Sequence, residues 1–235
     1  MTDINEADTA VADIPDIPGG PFDIEFFFDP ACPFAWLTSR WITRVQELRG
    51  ITVGWRFISL KIINEGTEAS EAMLESHTAA IRYHRICVAA REQFGNDTVL
   101  ALYSAFGEKM WYSKPEGDFF QAMGSAASRI DVAKILANLG LPAALLDEAD
   151  NEAHDVVLRA ETELAFSRTG ADVGTPIITY DPPNGNSLFG PVISSVPDDE
   201  TALRFYDAMR TMADFPAFSE LKRTKRAPLD LPIFN

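Results

Sequence analysis

The sequence predicts an α/β protein in which a small mixed sheet is interrupted by a block of helices. Three observations carry this. An apolar run, a helical segment and a second apolar run succeed one another over residues 22–58. Residues 68–169 then follow a period of 3.6, and strand signals return only after Gly170.

The elements follow in order. Phe22–Phe28 is short and rich in Phe, which suits a strand buried on both faces. Asp29-Pro30 breaks it. Pro33 opens a helix with Trp36, Leu37, Trp41, Val45 and Leu48 on one side. In the next segment Ile51, Val53, Trp55 and Phe57 alternate as strand residues do. Strand, helix, strand in this order implies a parallel pair with a right-handed crossover.

Within the helical block Val99, Tyr103, Phe106 and Met110 form one stripe, and Ala153, Val156, Ala160 and Leu164 another. Pro115-Glu116-Gly117 and Gly140-Leu141-Pro142 punctuate it, giving roughly four or five helices. Thr175–Tyr180 and Ser187–Gly190 read as strands joined by a hairpin-type connection at Asp181–Gly185. A last helix is expected over Asp198–Met212, followed by a basic segment, Lys222-Arg223-Thr224-Lys225-Arg226. The order β-α-β, helical block, β-β-α is that of a thioredoxin-like fold with an inserted α-helical domain. The expected division is an acidic leader at 1–20, a thioredoxin-like domain from 21–67 and 170–215, an inserted domain at 68–169 and a tail at 216–235.

Composition bounds the function. A hydrophobic fraction of 46% over 235 residues supports a real core. The net charge of −15 argues against nucleic acid and against an anionic membrane surface as partners. Residues 1–20 hold five acidic residues, no Lys or Arg and no apolar core, so they read as a solvated leader and not as a targeting peptide. No apolar run is long enough to span a bilayer. Cys32 and Cys87 do not make a disulfide framework. The expected compartment is the reducing cytoplasm, where a surface thiol tends to be catalytic or redox-sensing.

The chemistry centres on Cys32-Pro33-Phe34-Ala35, at the turn from strand to helix. A sulfur over the first free N–H groups of a helix is stabilised as thiolate, so Cys32 is expected to titrate below a free cysteine. Pro33 suits the first helical position, where a missing N–H costs nothing. A second motif, Val173-Gly174-Thr175-Pro176, precedes the return strand; in thioredoxin-like folds a cis proline there faces the thiol, the alternative being a trans proline that starts an edge strand. The cis geometry leaves the Thr175 N–H and C=O to pair with substrate over Cys32.

Other polar residues read more plainly. Cys87 shares a helical stripe with Met73, His77, Ile81, His84 and Val88 and reads as a packed core thiol. His84 and Cys87 are too few ligands for a closed zinc site. Arg82, Arg85 and Arg91 read as ion-pair partners in so acidic a chain. Trp36 and Trp41 suit either a cleft lining or helix-on-sheet packing.

The segments Phe28-Asp29-Pro30-Ala31-Cys32-Pro33-Phe34-Ala35-Trp36-Leu37-Thr38-Ser39-Arg40-Trp41, Ser59-Leu60 with Asn64-Glu65, Asp172–Pro176, Phe189–Val192 and Glu220–Thr224 resemble the DsbA-like family. Within it they are most similar to the actinobacterial branch of mycothiol-dependent reductases, which includes nitroreductases. The resemblance spans about residues 22–226. It implies Cys32 as nucleophile, Pro176 as the cis proline and Asn64 as an active-site neighbour. Pro33, Phe34, Trp36, Asn64, Thr175 and Pro176 are the expected thiol- and substrate-binding set. Mycothiol or glutathione would be the reducing cosubstrate, with no tightly bound cofactor and a small molecule or a disulfide as substrate.

Ala35 departs from the dithiol pattern, which carries a resolving Cys there. A mixed disulfide at Cys32 then needs an external thiol for release. Kappa-type glutathione transferases and 2-hydroxychromene-2-carboxylate isomerases share the fold and the insertion but use an active-site hydroxyl; Cys32 where they carry Ser favours exchange. A non-catalytic peptide-binding module is the remaining alternative.

Overall fold

The computed structural model describes residues 16–234 apart from residues 69, 115–121, 123–125 and 128. Strand β1 (Ile24–Phe28) leads into α1 (Pro33–Arg49) and β2 (Val53–Phe57). Among the described residues a short α2 (Leu60–Ile63) is followed by α3 (Glu71–Phe94), α4 (Asn96–Trp111), α5 (Val132–Asn138) and α6 (Asp155–Thr169). The chain then forms β3 (Ile177–Tyr180), β4 (Ser187–Phe189) and α7 (Asp199–Ala213).

The sheet order is β2-β1-β3-β4. β1 pairs parallel with β2, while β3 is antiparallel to β1 and to β4. This is the thioredoxin-like core, with α3 to α6 between β2 and β3.

Period-2 alternation sorts the sheet into two buried faces. On one, Ile24, Phe26 and Phe28 align with Val53, Trp55 and Phe57 and with Ile178 and Tyr180. This face packs α1, α3, α4 and α7 into one core. Trp41 on α1 donates its indole N–H to the Ala202 carbonyl of α7 at 3.0 Å, and the Val99, Tyr103, Phe106, Met110 stripe of α4 is buried. Cys87 and His84 of α3 are fully buried in the same core. Burial pushes the Cys87 thiol up to about 12, which fits a packed thiol.

The other face is also buried and is mixed: Phe27 and Ile177 pack with Ala165 of α6 in a second apolar cluster, beside a network of charges. Arg56 of β2 reaches Glu25 at 2.8 Å and Glu161 at 3.1 Å, Arg91 of α3 reaches Glu161 at 2.8 Å, and Arg168 reaches Glu25 at 2.6 Å. Glu161 also accepts the Phe57 N–H at 2.7 Å. Arg82 and Arg85 pair with Asp150 and Asp155, as ion-pair partners should.

Three expectations are corrected. The buried face of α6 is Leu158, Glu161, Thr162 and Ala165, whereas Val156 is 73% exposed. The helix docks through hydrogen-bonded polar groups, so its apolar spacing does not mark the inward side. Leu48, at the end of α1, is exposed. Residues 1–15 lie outside the described residues, but Ile17 of the leader is buried beside Gly54, where a Cβ would press on Phe22 and Ile17.

The tail returns to the body. Asp230 donates its N–H to the Ser194 carbonyl at 2.8 Å, and Leu231 and Ile233 are buried. The Phe234 ring lies 6.1 Å from that of Trp111 on α4. No described helix is long and apolar enough to cross a membrane.

Candidate active site

Cys32 is the N-cap residue of α1, with extended backbone angles and Pro33 beside it at the start of the helix. A side chain at an N-cap faces the helix's unpaired N–H groups. The Sγ accepts from the Ala35 N–H at 3.4 Å. The chain holds this turn with two backbone bonds, Cys32 N–H to Asp29 C=O and Trp36 N–H to Cys32 C=O, each 3.0 Å.

Thr175 approaches from the opposite side. The Thr175–Pro176 peptide bond is cis, and the thiol donates to the Thr175 carbonyl at 3.4 Å. The Thr175 hydroxyl is tied to the Phe27 carbonyl of β1 at 3.3 Å. The carbonyl expected to be free for substrate is therefore occupied by the thiol itself.

Cys32 is only 7% exposed. Burial pushes the thiol up to about 12, against the Ala35 N–H that pulls it down; Asp29 raises it further, and the Phe34 N–H and Arg226 lower it. The expected low-pKa surface thiol is thus corrected. The helix end supplies its N–H groups, but enclosure costs a thiolate more than they return.

Asp29 is fully buried and was legible only as a strand breaker. Its carboxylate accepts the Ala31 N–H and the Leu60 N–H, both at 2.7 Å. Burial, opposed by those two bonds, pushes the carboxyl up to about 7. The Leu60 contact couples the thiol turn to α2, whose C-cap residue Asn64 donates its side-chain amide back to Leu60 C=O at 2.7 Å.

Trp36 is fully buried and lines no open cleft. Its indole meets Tyr103 edge-on at 5.6 Å, and the Arg40 guanidinium lies 4.1 Å over it. Phe34 is half-buried, with the Arg226 guanidinium 4.9 Å above its ring. Arg226 comes from the tail. Nothing local to the Cys-Pro-Phe-Ala turn announces it; the only signal is a basic run in an acidic chain.

The site therefore brings together Cys32, Pro33, Phe34, Thr175 and Pro176, with Asp29 beneath and Arg226 above. The sulfur is held between the Ala35 N–H, which favours the thiolate, and the Thr175 carbonyl, which favours the thiol. Ala35 leaves no second thiol on the first turn.

Comparison with known proteins bears on this arrangement. A curated relative, described as uncharacterized protein Rv2286c of Mycobacterium tuberculosis, is 31% identical over 212 residues, 89% of this chain and 85% of that protein. Among solved structures, cytosolic disulfide reductase DsbM from Pseudomonas aeruginosa covers 81% of this chain and 99% of its own, at 13% identity and a TM-score of 0.48. A 2-hydroxychromene-2-carboxylate isomerase covers 80% and 94%, at 15% identity and a TM-score of 0.42. Both structural likenesses are too distant to speak about chemistry. Residues 31–223 match the family described as Rv2466c-like, mycothiol-dependent nitroreductase Rv2466c. That match begins one residue before Cys32, runs from α1 through α7 into the start of the tail, and places the chain in the Rv2466c-like family of mycothiol-dependent nitroreductases.

Proposed function

We propose that the protein is a cytoplasmic thiol–disulfide oxidoreductase that works through Cys32 alone, with mycothiol or a similar small thiol as reductant. The observation that carries this is the setting of Cys32: an N-cap sulfur bonded by the Ala35 N–H, opposite Thr175, with Ala35 where a resolving thiol would stand.

The cycle balances without a second protein thiol. The Cys32 sulfur attacks a disulfide R–S–S–R, forms Cys32–S–S–R and releases one RS⁻, which takes up a proton. A small thiol R′SH then attacks the R sulfur, forming R–S–S–R′ and returning Cys32 with the proton that R′SH brought. The Cys32 proton, which the fold directs to the Thr175 carbonyl, leaves with the released RS⁻ as RSH. The family name extends the proposal to nitro compounds, because oxidation of two thiols to a disulfide supplies two electrons per reductive step.

Intact-mass spectrometry after exposure to oxidised mycothiol, and separately to oxidised glutathione, tests the reading. One adduct on Cys32 is expected, absent from Cys32→Ser and removed by reduced thiol. No adduct on Cys32, or an adduct that reduced thiol does not release, overturns it.

A further inference from the structure

The chain carries 35 acidic residues against 20 basic ones, and its arginines are mostly taken up by carboxylates. Arg44, Arg49, Arg56, Arg82, Arg85, Arg91, Arg159, Arg168 and Arg210 all pair with Asp or Glu within 3.1 Å. Arg226 does not. Among the described residues it meets no carboxylate, and its guanidinium lies over the Phe34 ring, two residues from Cys32.

The position is set by the chain and not by chance contact of a loose end. Asp230 is bonded to Ser194, and Leu231 and Ile233 are buried five and seven residues downstream of Arg226. Arg226 therefore hangs from a fixed anchor, within a run that also holds Lys222, Arg223 and Lys225. Among the described residues, the charged and titratable groups that act on the thiol are Asp29 from the β1–α1 turn, Tyr103 from α4 and Arg226 from the tail. Asp29 and Tyr103 offer no positive charge, so the cation at this thiol is Arg226.

We infer that Arg226 is a specificity-determining residue: it makes the mouth of Cys32 selective for reactants that carry negative charge, such as carboxylate-bearing disulfides. A guanidinium offers planar, bidentate donors to a carboxylate and stays charged throughout the working pH range. In a chain of net charge −15, anions are repelled at long range, and a local cation at the reacting sulfur offsets that repulsion where it matters. Arg226 also favours the attacking thiolate over the thiol. The biological meaning of the inference rests on Cys32 being the attacking thiol; its test does not require turnover.

The test compares two reagents of nearly equal size, iodoacetate and iodoacetamide, on the full chain. In both, the Cys32 thiolate displaces iodide and forms a carbon–sulfur bond, so the ratio of the two rates cancels exposure and thiolate fraction. Arg226→Gln should lower the iodoacetate-to-iodoacetamide ratio by about two- to five-fold at low ionic strength, the size of an exposed charge pair. Arg226→Lys should keep it and Arg226→Glu should lower it further. Added salt should bring wild type down to the Gln variant, since exposed charges are screened.

A dianionic aromatic disulfide, 5,5′-dithiobis(2-nitrobenzoate), against neutral 4,4′-dithiodipyridine should reproduce the ordering in thiol exchange. If Arg226→Gln changes both alkylation rates by the same factor, the residue only shields the thiol and the inference fails. If Cys32→Ser alkylates like wild type, the reading of Cys32 as the reactive thiol fails instead.

Discussion

Gly107 of α4 lies against the face of the Trp36 indole so closely that a Cβ at 107 would overlap the ring. Trp36 is one turn from Cys32 on α1, is fully buried and, among the described residues, has no hydrogen-bond partner for its indole N–H. The absence of a side chain at position 107 is what lets α4 approach α1 behind the thiol. Gly107→Ala should therefore destabilise the fold by about 1–3 kcal/mol, as overpacking does, although alanine is the better helix former. Urea denaturation followed by tryptophan fluorescence checks this. A stability equal to or above wild type would show that the Trp36 ring moves aside freely.

Ala35→Cys should restore a dithiol. The Ala35 N–H already touches the Cys32 sulfur at 3.4 Å, and the two residues face each other across the first turn of α1. Oxidised glutathione should then give an intramolecular disulfide, read as the loss of two hydrogens in the intact mass, in place of a lasting adduct. Retention of the adduct in the variant would mean the introduced thiol cannot reach it.

Asp29 makes stability fall as pH rises. Its carboxyl titrates near 3.8 when exposed and at about 7 in the fold, so between those values the unfolded chain holds fewer protons than the native one. Stability from this group is full below about pH 4 and is lost progressively up to about pH 7, by about 4 kcal/mol at most. His84, which burial pushes down to about 4, works in the opposite sense between its folded value and 6.5. Subtracting the pH profile of Asp29→Asn from that of wild type removes the His84 contribution. The difference should decline from pH 4 to 7; a flat difference would mean Asp29 is not buried with its proton.

Glu161→Ala should be among the most damaging single changes. It leaves Arg56 and Arg91 without their shared carboxylate and strips the partner from the Phe57 N–H. A loss of about 3–5 kcal/mol is expected for a broken buried charge network. With a chain of this length that corresponds to a fall in Tm of roughly 10 °C. A change below 1 kcal/mol would show the network to be only a surface-like arrangement.

The parts of the fold written in local pattern were legible. The Phe-rich β1, the alternating β2, the hairpin at Asp181–Gly185 and the Val99 stripe of α4 each declare themselves within one segment. The inward side of α6 did not, because Glu161 and Thr162 dock it and apolar periodicity is blind to a buried carboxylate with cations waiting on β2 and α3. The thiol turn at Cys32 was legible for the same reason as β1: strand, Pro33 and helix are consecutive. Its ionisation was not. The enclosure that holds the proton comes from Thr175 and the tail, far along the chain, and burial is a property of the folded whole. Trp36 could be assigned to core or cleft only once Gly107 was seen opposite it.

The docking of α6 also decides whether the insertion is a detachable module. Excising residues 68–169 would remove Glu161 and Thr162 together, and with them the acceptors for the Phe57 and Ser59 N–H groups at the end of β2. Arg56 would keep Glu25 but lose Glu161, and Glu25 would lose Arg168, which leaves with the insertion. A minimal sheet fragment cut from this protein would start life with its Arg56–Glu25 pair stripped of the surrounding charges and with an unsatisfied strand end. The helices are in this sense a structural part of the sheet, and the two should melt in a single cooperative transition.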